Sequence, residues 1–164
     1  MSEWPIHCFK AYDIRGLANS DFTSELTPDF AYRLGRAIAT YLDCESIAVG
    51  RDIRDSSPLL SRELMLGLTD SGVKVLDLGI VSTGCVYHAC WTLPVDGGIM
   101  VTASHLPMPT HNGFKMCRGT LPLAGEEIQD LKQIFLAGDF RDGRGEVIDN
   151  PHIDNYLRAI IESA

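Results

Sequence analysis

Gly97-Gly98-Ile99-Met100-Val101-Thr102-Ala103-Ser104-His105-Leu106-Pro107 is a short apolar run that breaks into a polar tetrapeptide and a proline. A run of this length with such a break predicts a buried strand over Ile99 to Ala103 that delivers one hydroxyl, that of Ser104, into a stiff loop. Downstream, Asn112-Gly113-Phe114-Lys115 returns a lysine toward the same place, on what reads as an edge strand from Phe114 to Cys117. A serine, a histidine and a lysine gathered at a strand end suit phosphoryl transfer to and from a side chain.

Outward from this segment, strands and helices alternate. Ile6 to Tyr12 is expected to be a first strand, ending in Tyr12-Asp13-Ile14-Arg15-Gly16. Thr27-Pro28-Asp29 is a helix start, with a hydroxyl cap, a proline in the first turn and an acid favoured by the dipole. Phe30, Leu34, Ile38 and Leu42 then recur at helical spacing. Ile47 to Gly50 is a short buried strand, followed by the charged loop Arg51-Asp52-Ile53-Arg54-Asp55. Ser57-Pro58 opens a second helix that Gly72 closes. Val73 to Leu78 is a strand, Ser82-Thr83 precedes an apolar helix from Cys85 to Leu93, and Gly125 to Leu136 is helical. Gly138 to Gly145 is expected to be a turn or hinge before a final helix that starts at Asn150-Pro151 and carries Tyr156, Leu157, Ile160 and Ile161 on its apolar face.

This alternation predicts a layered α/β/α sandwich whose sheet is mostly parallel with a mixed edge. In such sheets reactive loops lie at the carboxyl ends of the strands, where Tyr12 to Arg15, Arg51-Asp52 and Ser104 all fall. No internal repeat and no low-complexity tract is seen.

Composition narrows the function classes. The 164 residues include 45% hydrophobic and 22% charged side chains, enough for a core and unlike a disordered chain. A net charge of −8 without a Lys/Arg run argues against a nucleic-acid surface or an anionic membrane surface as partner. The five cysteines are odd in number and form no C-x-x-C pair, which fits reduced thiols in a cytoplasmic protein. There is no signal-peptide pattern, and no apolar run approaches the ~18 residues of a membrane span.

Ser104 is the leading candidate. A serine hydroxyl needs a base or a charge-stabilising pocket to act as nucleophile, and once phosphorylated it carries about −1.5 to −2 charges that need cations nearby. His105, Lys115 and Arg15 are placed to supply them. The simplest alternative is a turn serine at a strand end. Lys115 reads as a general acid/base or a fixed cation, with a solvated surface lysine as its alternative. His105 reads as a donor to phosphate or a loop histidine bonded to backbone. Arg15 offers the planar fork that suits phosphate, or a salt bridge to Asp13 or Asp52. Cys85, His88 and Cys90, spaced C-x-x-H-x-C on one apolar helix, spread over more than one face and read as buried helix residues rather than a zinc site. No GxGxxG, GxxxxGK[ST] or G-x-S-x-G motif is present.

Four motifs appear in order: Phe9-Lys10-Ala11-Tyr12-Asp13-Ile14-Arg15-Gly16, Val49-Gly50-Arg51-Asp52, Val95 to His105, and Asn112-Gly113-Phe114-Lys115. Together they closely resemble the amino-terminal domain of the α-D-phosphohexomutases, the phosphomannomutase/phosphoglucomutase family. The resemblance implies a first domain over residues 1–148 of a four-domain enzyme, with residues 149–164 a terminal helix leading toward a second domain. It implies that Ser104 is the phosphoserine that donates to a hexose 1- or 6-phosphate, giving a hexose 1,6-bisphosphate that reorients and returns the other phosphate. Ser104, Lys115 and His105 would be catalytic, with Lys115 the general acid/base. Tyr12, Arg15, Arg51 and Asn112 would bind substrate or phosphate. A phosphoserine oxygen would be one ligand of Mg²⁺, the only metal contact Ser104 makes. Mannose phosphates are the first-choice substrate, and the remaining mutase domains are the expected partners.

Two departures stand out. Leu106 occupies a position where the family commonly has Asn, and the segment from Leu106 to His111 is slightly longer, with Thr110 or His111 placed to replace the missing amide. The family's metal-binding aspartates, sugar-selecting loop and phosphate clamp belong to later domains and have no counterpart here, so the isolated polypeptide is expected to be at most very weakly active. A short relative that binds phosphosugar or a partner without turnover is the alternative, and slow hydrolysis from an exposed phosphoserine is a third.

Overall fold

In the computed structural model, which describes residues 4–164, a single mixed sheet runs through the centre of the chain. Its strands among the described residues are β1 (Ile14–Leu17), β2 (Ser46–Arg51), β3 (Lys74–Ile80), β4 (Gly97–Val101), β5 (His111–Arg118), β6 (Leu121–Pro122) and β7 (Val147–Asp149). The order is β1-β5-β4-β2-β3-β7, with β6 paired to β5. Strands β4, β2, β3 and β7 are parallel, whereas β5 runs antiparallel to β4 and to β1. The mixed-edge sandwich expected from the alternation is therefore present.

Period-2 burial divides the side chains between two layers. Ile47, Val49, Ile99, Val101, Phe114 and Met116 join one core with helices α1 (Pro28–Leu42), α2 (Ser57–Thr69) and α4 (Glu126–Ala137). Ala48, Met100 and Cys117 face the other way, into a smaller core with α3 (Thr83–Thr92), against which α5 (Ile153–Ser163) places Ile153 and Tyr156. In the larger core Phe30 and Phe135 lie 4.9 Å apart between ring centroids, with Trp4 and Phe9 packed edge-on to Phe135.

Helices α1 and α2 cross where neither has a side chain. A Cβ on Gly35 would lie 2.2 Å from the Leu64 carbonyl oxygen, and one on Gly67 2.1 Å from that of Tyr32. At the start of α1 the Phe30 N–H donates to Thr27 Oγ1 at 3.2 Å, the cap read from the sequence. Thr27→Ala is expected to cost about 1 kcal/mol, read as a lower urea midpoint at unchanged slope.

The structure corrects several expectations. Ile6 to Tyr12 is not a strand: Ile6–Cys8 forms a 3-10 turn after Pro5, and only Phe9 bridges to Ile14. The Lys10 N–H donates to the Asp13 carbonyl at 2.9 Å, so the chain reverses around Tyr12 before β1 begins. Strand β5 is interior rather than an edge, because β1 folds back onto it with Arg15 opposite Gly113. Ser57 is the first residue of α2 rather than its cap, and its hydroxyl bonds Asp52 at 2.6 Å instead. Helix α2 ends at Thr69, ahead of the positive-φ turn at Gly72. Gly138 to Gly145 is a pinned strap: Arg141 donates to the Ser71 carbonyl at 2.9 Å, and the Gly145 N–H to that of Thr69 at 2.7 Å. The strap then feeds β7, a strand too short and too exposed to show a period.

Candidate functional site

Strand β4 stays paired one residue past its end, where the Thr102 N–H donates to the Gly113 carbonyl at 2.9 Å. Beyond that point side chains hold the backbone. Thr102 Oγ1 donates to Asp52 Oδ2 at 2.7 Å and accepts the Ser104 N–H at 3.0 Å. Ser104 sits at φ 58°, in the left-handed region, with its side chain at the surface. For a non-glycine residue that conformation costs on the order of 1 kcal/mol or more and persists only where the surroundings over-determine it.

Arg54 over-determines it. Its guanidinium is 3% exposed and reaches three carbonyls of one loop: Ser104 at 2.8 Å, Leu106 at 3.0 Å and His111 at 3.1 Å. Its Nε pairs with Asp52 Oδ2 at 2.9 Å. Asp52 in turn accepts from the Arg54 N–H at 3.1 Å, from Ser57 at 2.6 Å and from Thr102 at 2.7 Å. Asp52, partly exposed, and the buried Arg54 thus make an ion pair that fastens the 104–111 loop to the carboxyl edge of β2 and the start of α2.

The cations expected around Ser104 divide into two groups. Arg15 and Lys115 converge on Asp13, which is 1% exposed, at 2.8 Å and 3.0 Å. The same buried carboxylate therefore fixes both side chains at one place on the sheet. Among the described residues no hydrogen bond or ion pair joins Ser104 Oγ to either cation. Arg15 shares with Leu106 and His111 a cleft of about 520 Å³, also lined by Tyr12, His7 and Glu25. Arg51 ends β2 half-buried and donates to the Asp52 carbonyl at 3.4 Å. His105 is exposed and makes no side-chain hydrogen bond among the described residues.

Asn112 does not fit the phosphate-binding role expected of it. It is fully buried, and its amide donates to Ser56 Oγ at 2.8 Å and Ser57 Oγ at 2.9 Å. The side chain ties β5 to the head of α2, so it positions the loop's far end rather than meeting a ligand. Cys85, His88 and Cys90 do not converge either: both thiols are buried in the smaller core, while His88 Nδ1 lies 2.8 Å from His152 Nε2. All five cysteines are free and buried. Burial beside Asp96 raises the Cys44 thiol to about 11 despite Arg141.

Mg²⁺, implied by the resemblance, needs oxygen ligands. The acids of this edge are committed elsewhere: Asp52 accepts four hydrogen bonds and Asp13 two ion pairs. The described residues do not supply a ligand set for the ion at Ser104.

Arg54 and Asp13 were not among the site residues anticipated from sequence. Arg54 lay hidden in a run that reads as a solvated charged loop, yet the neighbouring Ile53 is 67% exposed and Arg54 is inside. No helix among the described residues is long and apolar enough to cross a membrane.

A family model described as phosphoglucomutase/phosphomannomutase, alpha/beta/alpha domain I, matches residues 7–142. A phosphomannomutase of Salmonella montevideo is 47% identical over 135 residues, covering 81% of this chain and 28% of the relative. A phosphomannomutase of Klebsiella pneumoniae is 45% identical over 135 residues, covering 81% of this chain and 83% of that protein. A phosphoglucomutase of Neisseria gonorrhoeae is 46% identical over 139 residues, with 80% and 29% covered. The crystal structure of a phosphoglucomutase/phosphomannomutase family protein from Burkholderia thailandensis superposes with a TM-score of 0.89 at 34% identity, covering 98% of this chain and 36% of that one. The chain spans less than a third of the length of the Salmonella and Neisseria relatives.

Proposed function

Because the chain belongs to the phosphoglucomutase/phosphomannomutase family, as its α/β/α domain I, we propose that it is the phosphate-carrying domain of a phosphohexomutase, with Ser104 the carrier. The whole protein interconverts hexose 1-phosphate and hexose 6-phosphate through a hexose 1,6-bisphosphate. In the first half, a sugar hydroxyl oxygen forms a bond to phosphorus as the bond to Ser104 Oγ breaks. The sugar hydroxyl loses its proton, and Ser104 Oγ ends protonated. After the bisphosphate turns over, the second half runs in reverse and returns the other phosphate to Ser104.

One observation carries this reading. The Ser104 hydroxyl is exposed on a backbone locked in a costly conformation by the Arg54 clamp, and it makes no hydrogen bond among the described residues. A carrier must keep its oxygen free yet fixed in direction, and that is what the clamp achieves. Charge in phosphoryl transfer spreads over the equatorial oxygens, and catalysis rests on placed cations. Arg15 and Lys115, pinned by Asp13, supply such cations, and Lys115 also serves as general acid/base. Tyr12 and Leu106, which line the cleft with Arg15, meet the sugar phosphate.

In this reading Mg²⁺ is completed by residues of further domains. Helix α5 leads toward the second domain, and its exposed Leu157, Ile160 and Ile161 belong against it. The buried free thiols fit a cytoplasmic setting, and mannose phosphates remain the first-choice substrate.

Radiolabelled hexose 1,6-bisphosphate tests the assignment directly. Incubation with the full-length gene product is expected to leave one phosphate per chain, mapped to Ser104, and none on Ser104→Ala. Label at another residue, or normal turnover by Ser104→Ala, would remove the carrier. Phosphate release without isomerised sugar would mark a phosphatase.

A further inference from the structure

Outside the Ser104 loop, three side chains of metal-ligating type meet: His7 and Glu25, which line the cleft, and the buried Cys8. His7 and Cys8 come from the 3-10 turn at Ile6–Cys8, and Glu25 from the segment before α1. His7 Nε2 lies 2.5 Å from Glu25 Oε1, and Cys8 Sγ lies 3.6 Å from Glu25 Oε2. All three donor atoms fall within 4.8 Å of one another. We infer that His7, Cys8 and Glu25 form a binding site for one zinc-class transition-metal ion, with its fourth position open to the cleft.

The geometry is close to what such an ion takes. Bonds of about 2.0 Å to nitrogen and oxygen and about 2.3 Å to sulfur set tetrahedral donors roughly 3.3–3.7 Å apart. The sulfur and the carboxylate already stand at that separation. His7 has to retreat from Glu25 by about an ångström, and its side chain, 60% exposed, has solvent to move into. Nitrogen, sulfur and oxygen together favour Zn²⁺ over Mg²⁺ or Ca²⁺, which prefer oxygen alone.

The backbone leaves room for these donors. A Cβ on Gly16 would lie 2.5 Å from Cys8 Sγ and 2.8 Å from Glu25 Oε2, so the sulfur and carboxylate occupy the place of a side chain at that position. Glu25 is oriented by the Leu17 N–H, which donates to Oε2 at 2.7 Å. An ordinary thiol carries its proton at neutral pH until an ion arrives. Binding at neutral pH therefore forms the metal–sulfur bond as the S–H bond breaks, and the proton goes to solvent.

The site does not depend on the carrier role of Ser104, so the two can fail separately. Metal-free full-length protein, titrated with Co²⁺ as a spectroscopic stand-in for Zn²⁺, is expected to develop a thiolate-to-cobalt charge-transfer band at one equivalent. About one proton should be released per ion, and Zn²⁺ should displace the colour. Cys8→Ser should abolish the band. His7→Gln, at an exposed residue whose loss leaves the core intact, should weaken binding about tenfold or more. Absence of the charge-transfer band, its survival in Cys8→Ser, or unchanged affinity in His7→Gln would each overturn the site. The His7 variant decides the matter even if Cys8→Ser fails to fold.

Discussion

Arg54→Met is expected to cost about 3 kcal/mol of stability, the lower end of the range for breaking a buried ion pair. The variant leaves Asp52 without its cationic partner and strips the donors from the Ser104, Leu106 and His111 carbonyls. Asp52 keeps the Ser57 and Thr102 hydroxyls, and its side chain is 20% exposed, so water relieves part of the loss. Methionine replaces most of the buried volume, which confines the effect to polar bonds. Arg54→Lys should recover only a fraction, because one ammonium cannot span three carbonyls and a carboxylate. Urea denaturation measures the loss, and limited proteolysis between Ser104 and His111 reports the released loop. A change no larger than the ~0.5 kcal/mol typical of surface sites would show that the clamp does not hold the loop.

The same residue shows where sequence reading stopped. Strand β4 and the loop after it were legible because a buried strand imposes an apolar run and a loop imposes proline and polar residues. Helix α1 was legible because its cap and its apolar spacing are local. Arg54 was not, because a charge in a charged run looks solvated until the fold brings carbonyls 50 to 57 residues away within reach. The misplacement of β5 has the same origin: its interior position depends on β1 folding back from the start of the chain. Asn112 is read from sequence as a substrate- or phosphate-binding residue, and its direction was not legible. Which face of β5 it takes is fixed by Ser56 and Ser57 on α2.

Electrostatics in this site follow one pattern. An acidic chain of net charge −8 gathers Arg15, Arg51, Arg54 and Lys115 along one sheet edge and buries Asp13 beneath two of them. The buried carboxylate orients Arg15 and Lys115, whose side chains stay about a quarter exposed at 27% and 29%. Such placement is made in advance of any ligand, which is the condition for cations to stabilise transferring charge without reorganising.

Ser104→Gly is expected to leave stability unchanged or raise it by up to about 1 kcal/mol, while turnover by the full-length protein falls by roughly three orders of magnitude. The opposition follows from φ 58° at this residue. Glycine takes the left-handed conformation without a Cβ penalty, and its greater freedom in the unfolded chain offsets part of that gain. The Thr102 bond to the residue 104 N–H and the Arg54 bond to its carbonyl involve backbone atoms, so both survive the change. Ser104→Ala keeps the Cβ and hence the strain, and should lie within about 0.5 kcal/mol of the parent with the same collapse of turnover. A hydroxyl that served the fold would behave otherwise, because its deletion would cost stability in both variants. Paired denaturation and turnover measurements on the two variants therefore separate a strained carrier from a turn serine. A loss of about 2 kcal/mol in Ser104→Gly, with turnover retained, would reduce Ser104 to a piece of loop architecture.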